Sequence, residues 1–264
     1  MRLYSLLLLT LFTGCTRTMN YDPVMLRFDS PETSGKPLSG SFNISIGATG
    51  TRVIGGEESE VPIDTRFTYG TTGLNINTGV LSRLDLYARS FLNSPYIIGG
   101  KYQIFGQALD KSTQGWKVSI SGELGSLSKS ENVLFETTTD SGSLSMKYYG
   151  ASLNIGYRFN SNWIVYLHNF YSHNNISSTI ERRNMELQSF GGLSEGFGNL
   201  LGFKYYFNSK NGTNIFNFRP FLGLEIGTGR YSWPDKMTEF GIVHRSNNKF
   251  KPESSIGVTF GTTW

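Results

Sequence analysis

Cysteine is nearly absent from this 264-residue chain, which has one, Cys15, and only three histidines, His168, His173 and His244. The histidines lie far apart and have no second cysteine beside them, so no metal-ligand spacing appears, and neither a metal nor a cofactor is expected. Charge is also scarce, at 17% of residues with a net +4, and the Lys and Arg are scattered singly. That removes the basic cluster a nucleic-acid binder needs, and no nucleic-acid partner is expected. Ala, Leu, Glu and Lys at helical spacing are missing from nearly the whole chain, which argues against an ordinary helical enzyme. No phosphate-cradling loop is present either. Gly196-Phe197-Gly198 lacks the following glycine and precedes a strand pattern, not a helix.

What remains is rich in Gly (31), Phe (19) and Tyr (14), and it alternates. Phe42, Ile44, Ile46 and Ala48 face one way, with Asn43, Ser45 and Gly47 opposite. The same period recurs at Leu84, Leu86 and Ala88, at Ile98–Ile104, at Trp116–Leu124 and at Tyr149–Phe159. It returns at Trp163–Leu167, Leu201–Phe207, Phe216–Ile226 and Ser254–Trp264. Within Asp64–Thr78 the parity switches across Thr71-Thr72-Gly73, which predicts a bulge at Gly73. Leu127–Ser143, His173–Glu195 and Tyr231–Pro252 read as long polar loops, the second with room for a small hairpin or helical turn at Ile180–Leu187. Gly56–Pro62 and Asn93–Pro95 join them on one side. The turns at Thr78–Ser82, Gln107–Gly115, Asn160–Asn162 and Asn208–Thr213 fall on the other side and are short.

The final stretch puts Ile256, Val258, Phe260, Thr262 and Trp264 on one face, against Ser255, Gly257, Thr259, Gly261 and Thr263. It resembles the C-terminal assembly signal of bacterial outer-membrane β-barrel proteins, carried here by Phe260 and Trp264. The resemblance implies the barrel assembly machinery and outer-membrane lipid as partners. At the other end, Met1-Arg2, the apolar run Leu3–Phe12 and Thr13-Gly14-Cys15 form a signal peptide too short to span a bilayer as a helix. Leu11-Phe12-Thr13-Gly14-Cys15 resembles a bacterial lipoprotein lipobox, with Phe12 where the pattern usually has Leu. It implies cleavage after residue 14 and acylation of Cys15. Thr16 is not the Asp that resembles an inner-membrane retention mark, so the outer membrane is the expected location. Residues 15–38, with Pro23, Pro31 and Pro37, read as a lipidated tether, and 39–264 as the body.

The expected fold is all-β: a closed antiparallel up-and-down transmembrane barrel of about ten strands, with 8–12 possible. A soluble sandwich also alternates, with its apolar face inward. Export signal, aromatic terminus and Trp or Tyr near strand ends (Tyr96, Trp116, Trp163, Trp264) together favour the membrane barrel. The opposite face then lines the lumen with Arg83, Asp85, Arg89, Lys101, Lys117, Glu123, Arg158, Lys204, Arg219 and Glu225, seven basic and three acidic. Such a set either braces the barrel or leans a narrow pore toward anions. His173-Asn174-Asn175-Ile176-Ser177 loosely resembles the His and Ser of outer-membrane phospholipases, but the spacing of four departs from their pattern. The chain is therefore read as a non-enzymatic barrel lipoprotein with a structural or surface-interaction role through its long loops, external partner unknown. A small-solute channel comes next and a lipid-modifying enzyme third.

Overall fold

The computed structural model describes residues 19–21, 23–50, 52–54, 68–111, 113–135, 138–207, 218–232, 236–239, 242–245 and 251–264. The signal peptide, Cys15, the Gly56–Pro62 loop and Asn208–Thr213 lie outside them. The elements are β1 (Met19–Tyr21), β2 (Gly40–Gly50), β3 (Arg52–Ile54), β4 (Thr68–Leu81), β5 (Leu84–Phe91), β6 (Tyr96–Phe105) and β7 (Gly115–Phe135). They continue with β8 (Thr138–Arg158), β9 (Trp163–Arg182), β10 (Met185–Tyr206), β11 (Arg219–Tyr231), β12 (Lys236–Glu239), β13 (Ile242–Arg245) and β14 (Lys251–Thr263). One 3₁₀ turn spans Leu109–Lys111.

Ten of these strands close on themselves. Each from β4 to β11 pairs antiparallel with its sequence neighbour, β11 pairs with β14, and β14 pairs with β2. Within the ring, closure leaves no bare strand edge among the described residues. Trp264 seals the seam: its N–H donates to the Gly40 carbonyl, the Gly40 N–H returns to the Trp264 carbonyl, and its indole Nε1 donates to the Leu38 carbonyl at 2.9 Å. The β12–β13 hairpin, within Tyr231–Pro252, adds to the far end of β10 through Gln188–Phe190 and does not enter the closed ring.

Two expected loops are strand. Leu127–Ser143 belongs to a β7–β8 hairpin paired in unbroken register from Gly115↔Arg158 to Phe135↔Thr138. His173–Glu195 belongs to the β9–β10 hairpin, whose turn is Arg183-Asn184. Both turn residues have positive φ, 50° and 66°, the geometry of a two-residue turn matched to strand twist. Both stretches read as loops because their alternation sets Ser and Thr against Leu, Met and Ile, with the polar residues outward.

The bulge expected at Gly73 is absent, since β2 pairs with β4 in register straight through it. Gly73 instead makes room for the Phe91 ring, whose Cδ1 would lie 2.2 Å from a Cβ there. The register shift falls at Gly79/Leu81.

The largest correction concerns residues 23–34 of the expected tether. They are no solvated tether: Val24 to Ser34 is buried inside the barrel, with Arg27 and Thr33 fully so. The segment enters at the end with the short turns, where Leu38 N–H donates to the Gly79 carbonyl and Leu109 N–H to the Thr33 carbonyl. It reaches the end with the long hairpins, where Tyr231 Oη donates to the Val24 carbonyl at 3.2 Å.

Candidate functional site

A chain threaded through a barrel has no strand neighbour for its backbone, and a buried amide without a partner is costly. Here wall side chains take that role. Ser34 N–H donates to both oxygens of Asp85 (3.0 and 2.9 Å), Thr33 N–H to Gln103 Oε1 (2.9 Å) and Arg27 N–H to Glu225 Oε2 (2.8 Å).

Charges on the segment meet opposite charges on the wall in three tiers. At the short-turn end Glu32 pairs in bidentate fashion with Arg158, which also donates to the Ser161 carbonyl at 2.8 Å. Midway, Asp29 Oδ1 accepts from Lys101 Nζ at 2.8 Å. Toward the hairpin end the Arg27 guanidinium donates to Glu123 Oε2 at 2.7 Å and to Tyr148 Oη at 2.9 Å, and lies 4.6 Å over the Phe170 ring. Glu123 also takes Arg89 and Tyr87 Oη (2.8 Å), while Tyr166 Oη donates to Glu225 at 2.8 Å. Each ion is desolvated, so each depends on its partner.

Of the ten charges expected in the lumen, Asp85, Arg89, Lys101, Lys117, Glu123, Arg158, Lys204 and Glu225 are buried there. Lys204 Nζ stands 5.2 Å over the Phe221 ring. Arg83 is not among them. It sits exposed in the Ser82-Arg83 turn and donates to the Ile104 carbonyl, because β5 begins only at Leu84, one residue after it. Arg219 is half-buried at the rim, donating to the Phe207 and Ser161 carbonyls. Arg27, Asp29 and Glu32 were missed: nothing local marks them, since their partners lie 72 to 126 residues away. A cavity beside Asp29, Lys101 and Lys204 measures about 20 Å³, room for roughly one water.

The outer wall carries the second feature. Ile46, Ile98, Leu124, Leu201, Val258 and Phe260 point outward and are exposed, Phe260 by 61%. Aromatics edge this belt, with Trp116, Phe159, Trp163 and Phe207 toward the short turns and Tyr96, Tyr149, Tyr171 and Phe197 toward the hairpins. From Trp116 to Ser126 on β7 is about ten residues, a rise of roughly 25 Å for a strand tilted near 40°.

Past the belt the polarity reverses. Outward positions become Ser126, Ser128, Ser130, Ser143, Ser145, Asn175, Ser177 and Thr179. Inward, Leu127, Leu144, Met146, Ile176, Ile180, Leu187 and Phe190 form one buried cluster with Met25 and Tyr231. Asp140 and Arg182 clasp two strands near the tip at 2.9 Å.

His173 lies on the outer wall at the reversal, its Nδ1 3.8 Å from Glu195 Oε1, while Tyr171 Oη donates to Glu195 at 2.9 Å. Its cross-strand partners are Tyr149 and Glu195, Ser177 is four residues along the strand, and the preceding Ser172 turns to the barrel interior, on the other face. His168 is buried in the lumen. Among the described residues no group of three His, Cys, Asp or Glu is placed to hold a metal ion.

No family model matches the chain, and no curated protein matches it. Among solved structures it is similar to Ail, the attachment invasion locus protein of Yersinia pestis, at 12% identity over 87% of this chain and 100% of that one, TM-score 0.35. It is also similar to the outer membrane protease OmpT of Escherichia coli, at 9% identity over 89% and 99%, TM-score 0.37. A third is Neisserial surface protein A, at 12% identity over 86% and 95%, TM-score 0.31. These are likenesses of barrel shape at low scores, and no property of those proteins passes to this chain through them.

Proposed function

We propose that the chain is an outer-membrane β-barrel, closed to solutes by its own N-terminal segment, that serves as a rigid platform for surface interactions. The reversal of polarity along β7–β10 carries this reading. Below it the apolar face is outward and suits hydrocarbon; above it the same strands bury their apolar face and present Ser, Thr and Asn to water. A pair of hairpins continuing tens of ångströms beyond the hydrocarbon, with a core of their own, is a standing surface. At the other end the β4–β5 turn at Ser82-Arg83 and the β8–β9 turn at Asn160–Asn162 are short, which is the asymmetry of an outer-membrane barrel with its hairpins outside. Acylation of Cys15 fits the export signal and remains part of the proposal.

The filled lumen supports a braced barrel over a channel. The test has two arms. In planar bilayers the purified protein is expected to give no discrete conductance steps, and on gels to shift mobility on heating as closed barrels do. Steady unit conductance from the full chain would transfer the reading to a channel. A protein that stays soluble without detergent would remove the membrane altogether. A lipid-modifying activity is the lesser reading, and phospholipid turnover in detergent that is lost in His173→Ala would revive it.

A further inference from the structure

We infer that the chain threads its own barrel from the inside outward, so that its mature N-terminus is displayed at the cell surface. The words inside and outside rest on the outer-membrane reading above; the threading rests on geometry alone.

Ser34 and Thr33 are fixed at the short-turn end, by Asp85, Gln103 and the Leu109 amide. Asp29 is held halfway up by Lys101, and Arg27 higher by Glu123 and Tyr148. Val24 ends the passage under Tyr231. From Ser34 to Val24 the chain is long enough to cover roughly 30 Å, more than the height of the apolar belt. It does not turn back. Met19–Tyr21 pairs antiparallel with Arg52–Ile54, in register Met19↔Ile54 to Tyr21↔Arg52, and that strand follows directly from the hairpin end of β2. Residue 19 is therefore beyond the belt on the same side as the long hairpins.

The consequence concerns Cys15. Met19 is four Cα–Cα steps along the chain from it, a reach of at most about 14 Å. Acyl chains on a lipobox cysteine at that position would enter the outer leaflet from the cell exterior, where an inner-leaflet anchor would be out of reach. The lipid then acts as a second hold at the outer end of a segment whose charge pairs already prevent retraction. The N-terminal strand, its partner Arg52–Ile54 and the hairpins make up one surface.

The experiment inserts a hydrophilic peptide epitope in the full chain at three places, one per variant: after Asn20, in the Arg183-Asn184 turn and in the Ser161-Asn162 turn. Antibody binding is read on intact cells and again after permeabilisation. The expected result is comparable binding on intact cells for the tags at Asn20 and Arg183-Asn184, and binding at Ser161-Asn162 only after permeabilisation. A tag at Asn20 reached only after permeabilisation, while the Arg183-Asn184 tag is reached on intact cells, overturns the threading and leaves the outer-membrane reading standing. Binding to the Ser161-Asn162 tag on intact cells overturns both. A second measurement needs no insertion: trypsin is added to intact cells bearing the unmodified protein, and its new N-termini are sequenced. Cleavage after Arg17 supports the inference, and an uncut Arg17 that is cleaved once the cells are lysed contradicts it.

Discussion

The belt and the hairpin extension are built from the same strands and obey opposite rules. On β7, Trp116, Ile120 and Leu124 face out while Lys117, Ser121 and Glu123 face in. A few residues on, Ser126, Ser128 and Ser130 face out and Leu127 faces in. The period of two never breaks, and only the solvent changes. In the belt the interior is mixed, with small apolar clusters such as Leu26, Phe28 and Phe91, and Ile164, Tyr206 and Phe221, set among buried charges. It is held by desolvated pairs such as Arg27–Glu123 and Arg158–Glu32. In the extension the wall is held as a soluble sheet is, by burial of Leu144, Met146, Ile176 and Ile180, each contributing about 1.5–3 kcal/mol on transfer from water.

Substitutions break this comparison in order of size. Glu123→Ala leaves Arg27 and Arg89 buried and unpaired, and is expected to destabilise the barrel by about 3–5 kcal/mol, read as a lower denaturant midpoint in micelles. Val258→Arg puts a charge on the outward belt and is expected to cost about 2–4 kcal/mol at mid-height, read by refolding equilibrium in lipid vesicles. Ile180→Ala opens a cavity in the extension at about 2–4 kcal/mol, but the loss should be confined there. Protease should then clip β9–β10 near its turn while heat-modifiable mobility is unchanged. Ser145→Arg, outward like Val258 but beyond the reversal, should change stability by under about 0.5 kcal/mol in the same vesicle assay. Equal penalties for Val258→Arg and Ser145→Arg would erase the distinction between the two regions.

The same contrast explains what the sequence made legible. The belt strands could be read because apolar residues facing one way stand out against Gly, Ser and charge, and eight of the ten inward charges are buried in the lumen. The extension was hidden by its composition. A strand whose outward face is Ser126, Ser128 and Ser130 looks like a linker unless Leu127 is recognised as having the opposite sense. The luminal segment was hidden for another reason. Pro23, Asp29, Pro31 and Glu32 have the makeup of a solvated tether, and only partners far along the chain, Lys101 and Arg158 among them, give those charges a buried place.

The central claim is that the reversal of polarity marks the edge of the hydrocarbon. Single spin labels at outward positions of β7, from residue 118 to residue 130 in steps of two, test it in vesicles by comparing collision with oxygen against collision with a water-soluble nickel chelate. Oxygen should dominate through 124 and the chelate from 128 onward. A profile that favours the chelate along the whole strand, with no crossover near Ser126, would contradict the account.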